Sequence, residues 1–223
     1  MTTFPRIKIC GLRDVHTIAL MDGLPIHDIG FVFAPSKRQV LPQAAAELIA
    51  ASHELRSYDG KRPQTVGVFV DADLQQLRET LAIAALDVVQ LHGSESPQLA
   101  QSIKNELSVQ VWKVFAIGKM ADDGLTAHQR LAPYQGTVDA VLIDTAGGGT
   151  GQTFDWRVIA DYREAAEAIH VPLYVAGGLH PDNVHELLDG YTPDGIDVSS
   201  GVETDGRKDI DKIKLFVRRV IER

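Results

Sequence analysis

Cysteine is nearly absent: Cys10 is the only thiol in 223 residues. That excludes an internal disulfide and points to a reducing, cytoplasmic setting. Long hydrophobic runs are missing as well, and no stretch approaches the roughly 20 apolar residues that span a bilayer. The opening MTTFPRIKIC shows no basic segment leading into an apolar one, so no signal peptide is expected. Positive charge is scarce, with 22 Lys and Arg against 30 Asp and Glu and a net charge of −8. This argues against nucleic acid as a partner. It leaves a small anionic ligand open, because backbone amides bind phosphate without side-chain charge. No G-x-G-x-x-G follows the first strand-like run, which weakens an open dinucleotide-binding sheet. No linker, low-complexity tract or composition break divides the chain, so residues 1–223 are read as one domain.

What the chain does have is alternation. Eight short β-rich apolar runs occur in order: RIKIC, HDIGFVF, TVGVFV, DVVQLH, VQVWKVF, AVLIDT, PLYVAG and GIDVSS. Between them lie segments with apolar residues at three- and four-residue steps. Examples are Ala44, Leu48, Ala51 and Leu55; Leu74, Leu77, Leu81 and Ala84; Trp156, Ile159, Ala166 and Ile169; and Ile210, Ile213, Val217 and Val220. Those steps place one apolar stripe along a helix. Regular strand–helix alternation implies a parallel sheet with right-handed crossovers. Eight such units in a chain of this length predict a closed (β/α)8 TIM barrel with an eight-stranded parallel core. An open doubly wound sheet is the structural alternative.

In such a barrel the chemistry sits at the carboxyl ends of the strands. The polar and glycine residues at those ends are Cys10, Arg38, Asp71, His92, Asp144, Gly177, Gly178, Ser199 and Ser200, with Gly201 following. Each has an ordinary reading beside a functional one. A lone cysteine is commonly a small buried hydrophobe. Asp144 could cap a turn, Asp71 could cap the helix that begins near Leu74, and His92 could cap a strand or line a pocket. Arg38, beside Lys37, could be solvated. The run at 147–151, four glycines in five residues, could be a permissive connection or a lid over substrate. Strand parity adds one expectation. If Cys10 points into the barrel, so does Lys8; if Ser199 does, so does Asp197. The first and last strands are neighbours in a closed barrel, so Lys8 and Asp197 are expected to pair inside it.

Seven stretches taken together resemble the phosphoribosylanthranilate isomerases of tryptophan biosynthesis. They are KICGL, FVFAPSKRQV, VGVFVD, VQLHG, LIDTAGGGTGQTFDW, VAGGLHPDNV and DVSSGVE. They run in register from residue 8 to about residue 208. The resemblance implies an Amadori rearrangement of N-(5-phosphoribosyl)anthranilate to 1-(2-carboxyphenylamino)-1-deoxyribulose 5-phosphate, with no cofactor and no metal. It implies Cys10 as general base, Asp144 as general acid and Arg38 as the anthranilate carboxylate site. Phosphate is then expected at Gly177, Gly178, Ser199, Ser200 and Gly201, where glycine lets amides approach and serine adds a donor. His92 joins the substrate-binding set. A thiolate base requires surroundings that favour that form, and a carboxylic acid active near neutrality requires a raised pKa.

Two other readings compete. A histidine-pathway sugar isomerase would place aspartates at strands one and five, whereas here those strands carry Cys10 and the acid-free VWKVFA. A non-catalytic phosphate-binding barrel would need neither Cys10 nor Asp144. A small phosphorylated substrate is the expected partner, with no membrane and no nucleic acid. A monomer and a homodimer both remain open.

Overall fold

A computed structural model describes residues 4–118, 123–145 and 153–222. The eight expected strands are β1 Arg6–Cys10, β2 Asp28–Val32, β3 Gln64–Phe69, β4 Val88–Leu91, β5 Gln110–Ile117, β6 Ala140–Thr145, β7 Leu173–Val175 and β8 Gly195–Val198. All neighbouring pairs run parallel, and β1 pairs with β8 to close the barrel. The helices that follow each strand in turn are α1 Val15–Ala19, α2 Pro42–Glu54, α3 Leu74–Ile83, α4 Pro97–Leu107, α5 Ala127–Leu131, α6 Val158–Ala168, α7 Val184–Gly190 and α8 Ile210–Ile221. A two-stranded hairpin, Glu203–Thr204 with Arg207–Lys208, stands between β8 and α8.

The strands are buried on both faces, as a parallel barrel demands. Outward residues such as Ile7, Ile9, Phe31, Leu91, Ile143 and Val198 pack under the helices in one continuous core. Inward residues Val66, Val88, Trp112, Val114, Ala140, Leu142 and Tyr174 fill the barrel itself. On α8 the buried stripe is Ile213, Phe216, Val217 and Val220, each contributing about 1.5–3 kcal/mol of apolar transfer.

Four helices lacked a quoted periodicity: α1, α4, α5 and α7. Three of them are five to seven residues long, too short to repeat an apolar step. In α4 only Ala100 and Ile103 are buried. Trp156 precedes α6 rather than belonging to it. Asp71 is not a helix cap. Asp73 caps α3, accepting from the Gln76 N–H at 2.8 Å while Gln76 Oε1 accepts from the Asp73 N–H. Among the described residues no helix is long and apolar enough to cross a membrane.

Candidate active site

Alternation along the strands decides what meets inside the barrel. Lys8 and Cys10 of β1, Gly30 of β2, Gln90 of β4, Asp144 of β6 and Asp197 of β8 share the inward parity. At the carboxyl ends they open onto a cleft of about 360 Å³, lined by Cys10, Arg38, Gln90, His92, Asp144 and Asp197 among others. Ser199 also lines it. A larger cavity lies at the opposite end of the barrel, under Arg6, His27, Trp112 and Tyr174. Its buried carboxylate, Asp28, is already bound by Arg6 at 2.7 Å and by the Tyr174 hydroxyl at 3.1 Å.

The Lys8–Asp197 pair forms as parity requires, with Nζ donating to Oδ2 at 2.9 Å. Burial works against the Lys8 ammonium, but Asp197 and then Cys10 outweigh it and raise its pKa. Gly30 makes room for this arrangement, because a side chain there would run into Cys10 Sγ and Lys8 Nζ. Burial pushes the Cys10 thiol above its ordinary range; Lys8 draws it back, and Asp197 pushes it up again. The surroundings therefore favour the thiol over the thiolate, against the sequence expectation. The physical reason is that the neighbouring cation is already paired with Asp197, so it offsets only part of the desolvation.

Asp144, next to last in β6, is buried, and burial first, then the charge of Asp197, lift its pKa to about 7. The Thr145 backbone N–H and the charge of Lys8 offset part of that rise, and among the described residues Asp144 Oδ1 has no hydrogen-bond partner. Its Oδ2 faces His92 Nε2 at 3.5 Å. Burial, and next the charge of Lys8, hold His92 down at about 4, so this contact joins a neutral imidazole to a carboxyl group and is not an ion pair. Gln90 Nε2 lies 3.4 Å from His92 Nδ1. With Gln90 donating there, the ring proton sits on Nε2 and points to Asp144.

Arg38 is buried, which excludes the solvated reading. Its fork is engaged within the protein, however. Nε donates to Glu203 Oε1 at 2.7 Å and Nη2 to Glu203 Oε2 at 3.0 Å. Burial works upward on Glu203, yet Arg38 and Lys208 hold its pKa at about 2. The two-pronged grip expected for a substrate carboxylate is thus taken by Glu203. Nη1 and the second N–H of Nη2 carry no hydrogen bond among the described residues. Lys208, also buried, donates to Glu203 Oε1 and to Ser199 O, both at 2.8 Å.

The expected phosphate residues cluster at the ends of β7 and β8. Gly177 and Gly178 adopt φ of 86° and 66°, where L side chains are strained. Gly178 lines a separate cavity together with Trp156, His180 and Asn183. Ser199 Oγ donates to Cys10 O at 3.1 Å. Ser200 opens a single 3₁₀ turn, and Gly201 lies so close to Leu179 O that a side chain would collide with it. Five of the nine expected residues therefore line the cleft itself: Cys10, Arg38, His92, Asp144 and Ser199. The glycine run at 147–151 lies outside the described residues. Sequence reasoning missed Glu203, Lys208 and Gln90. Glu203 and Gln90 sit within the quoted motifs DVSSGVE and VQLHG, but nothing local marks them as partners of Arg38 and His92. Among the described residues no group of three His, Cys, Asp or Glu side chains could hold a metal ion.

Barrel and cleft together define the class: a (β/α)8 barrel in which a carboxyl group and a thiol face one cleft. Residues 7–219 match the family model of N-(5'-phosphoribosyl)anthranilate (PRA) isomerase. The chain is 44% identical over 219 residues to N-(5'-phosphoribosyl)anthranilate isomerase of Brevibacillus brevis, covering 96% of this chain and 93% of that protein. It belongs to that family. Monomers of the dimeric phosphoribosylanthranilate isomerase from Thermotoga maritima superpose with a TM-score of 0.78 at 32% identity, over 98% of this chain and 100% of that one. Another solved phosphoribosyl anthranilate isomerase, in complex with reduced 1-(o-carboxyphenylamino)-1-deoxyribulose 5-phosphate, gives a TM-score of 0.77 at 31% identity. It too covers 98% of this chain and 100% of its own.

Proposed function

We propose that this cleft converts N-(5'-phosphoribosyl)anthranilate to 1-(2-carboxyphenylamino)-1-deoxyribulose 5-phosphate, a step of tryptophan biosynthesis, with Asp144 as acid and Cys10 as base. The observation that carries the assignment is a carboxyl group held near neutrality, with one oxygen unpaired among the described residues, across one cleft from the only thiol of the chain. Asp144 Oδ1 gives its proton to the furanose ring oxygen. The C1–O bond breaks, and the anilino nitrogen lone pair forms the C1=N Schiff base. Cys10, as thiolate, then takes the C2 proton, and the C2–H electrons form C1=C2 while the nitrogen regains its lone pair. Protonation at C1 and loss of the O2 proton give the ketone. Lys8 beside Cys10 offsets the charge that the thiolate carries before it takes that proton.

Among the described residues the buried acceptors Gln90 Oε1, Asp144 Oδ1 and Asp197 Oδ1 lack partners, and a polyhydroxylated sugar supplies the donors they need. Arg38, fixed by Glu203, offers its remaining N–H groups to the anthranilate carboxylate, and the amides around Gly178, Ser199 and Ser200 take the phosphate. No cofactor enters these steps. The chain works as a monomer or a homodimer. Fluorescence decay of freshly made phosphoribosylanthranilate tests the reading, since purified protein should accelerate the decay and Asp144→Asn should not. Decay at the uncatalysed rate with the wild-type protein would refute it.

A further inference from the structure

Behind the cleft, between β4 and β5, lies an ion pair that touches none of the reacting groups. Lys113 of β5 faces outward, opposite Leu91 of β4. It is 3% exposed. Its Nζ approaches Gly93 O at 2.7 Å, Glu95 Oε2 at 3.0 Å, Val114 O at 3.1 Å and Leu91 O at 3.3 Å. Glu95 is as deeply buried, accepting from the Asp71 N–H at 2.8 Å and from the Gly93 N–H at 2.9 Å. The Tyr134 hydroxyl donates to Glu95 O at 2.7 Å. Asp71 sits at φ 52°, and its Oδ1 accepts from the Ser94 N–H at 2.6 Å. Gly93 permits this approach, because a side chain there would collide with Asp71.

His92 stands between the two residues, Leu91 and Gly93, whose carbonyls share one ammonium. Its own N–H donates to Phe69 O at 2.8 Å. The backbone is thus held on both sides of His92, whose Nδ1 lies 3.4 Å from Gln90 Nε2 and whose Nε2 faces Asp144 Oδ2 at 3.5 Å. A buried Lys–Glu pair is a poor device for stability, since apolar residues of similar volume generally serve as well or better. It is a good device for fixing a loop whose carbonyls it grips.

We propose that Lys113 and Glu95 form a latch that positions His92 against Asp144, so that the imidazole N–H steadies the carboxylate left when Asp144 gives up its proton. Both are positioning residues. The inference rests on Asp144 being the acid. The other charges facing Asp144 are Lys8 of β1 and Asp197 of β8, and Cys10 shares the cleft. His92 itself is faced by Lys8 and Asp197 as well as by Lys113 and Glu95.

The first test needs no variant. Nitrogen NMR of the imidazole rings should show His92 in a single neutral Nε2–H tautomer between pH 6 and 8, and averaging of the two tautomers would overturn the proposal. The second uses Glu95→Gln, which keeps the shape and loses the charge. Carbon NMR should find the Asp144 titration displaced upward by about half a pH unit. Turnover should fall about three- to tenfold with little change in KM. Lys113→Met should behave alike. His92→Asn should give the same displacement, and combining it with Glu95→Gln should add nothing further. Additive losses, or an Asp144 titration unmoved by Glu95→Gln, would overturn the latch. Full activity in Asp144→Asn would instead remove the acid assignment, and the latch would then stand or fall on the tautomer and titration measurements alone.

Discussion

Asp144→Asn should remove activity and add stability, and the added stability should depend on pH. The carboxyl group titrates near 7 in the folded protein against 3.8 for an ordinary aspartate. A raised folded-state value means the folded protein binds this proton more tightly than the unfolded chain. The resulting stabilisation is complete below about pH 4 and is lost as pH climbs to about 7. Above pH 7 the folded protein holds a carboxylate at a cost of up to about 4 kcal/mol, from roughly three units at ~1.4 kcal/mol each. Asparagine has the same shape and never ionises, so it escapes that cost. Urea unfolding should show the variant ahead by about 1.5 kcal/mol at pH 5 and by up to about 4 kcal/mol at pH 8. Loss of a positioned acid should lower turnover by about 10²–10⁴-fold. A stability gap that stays the same at pH 5 and pH 8 would mean that Asp144 titrates as an ordinary aspartate, and the case for it as an acid near neutrality would collapse.

Because Cys10 titrates above Asp144, the reactive form, thiolate with carboxylic acid, is a minor tautomer of the singly protonated pair. The profile of kcat/KM should therefore rise through about pH 7 and fall only at the higher pKa of the thiol; activity that declines through pH 7 would contradict this pairing. Cys10→Ala and Cys10→Ser should both fold and both lose about 10²-fold or more, and wild-type turnover in the serine variant would make the thiol structural. Arg38→Ala should raise KM and lower kcat, with Arg38→Lys recovering only part because an ammonium cannot hold Glu203 and a substrate carboxylate in one plane; unchanged kinetics in both would leave Arg38 as a partner of Glu203 alone. Gly178→Val should raise KM sharply, since a β-branched residue is strained at φ 66° and crowds the anion. Inorganic phosphate should compete with substrate in the wild type, and its failure to do so would move the phosphate site elsewhere.

The barrel was legible because its strands are buried on both faces, so β-rich apolar runs mark them whatever their neighbours do. The Lys8–Asp197 pair was legible for a related reason, since inward parity follows from counting residues; Cys10 and Asp144 stood out as polar strand ends, and their expected roles came from the family resemblance. Pairings that depend on the path of a loop were not. Arg38 could be placed after β2, but only the hairpin after β8 brings Glu203 and Lys208 to it. Lys113 sits inside VWKVFA, which drew attention for lacking an acid, and the sequence gives no hint that its ammonium reaches around to the end of β4. Helices of five to seven residues escaped because one or two apolar contacts do not make a period.

Most of the deeply buried ion pairs gather near the cleft, while Arg6–Asp28 lies at the opposite end of the barrel. Lys8–Asp197, Arg38–Glu203–Lys208 and Lys113–Glu95 all lie in the half of the barrel that holds the cleft. Each took ionised groups out of water at a cost of several kcal/mol per ion before mutual attraction. The outer core is continuous without them, so packing alone does not call for them. What they supply is a set of fixed charges, two neutral pairs and a triad with one net positive charge, around the two groups proposed to exchange protons with a substrate. Within Lys8–Asp197 the two ends act in opposite senses. The carboxylate raises the pKa of Asp144 and keeps it protonated longer, while the ammonium limits the rise at Cys10. A lone cation would pull both groups down and leave Asp144 ionised near neutrality, and a lone anion would push both up and deny Cys10 its thiolate. In the proposed assignment the pair raises the pKa of the acid while limiting the rise at the base, which neither member could do by itself.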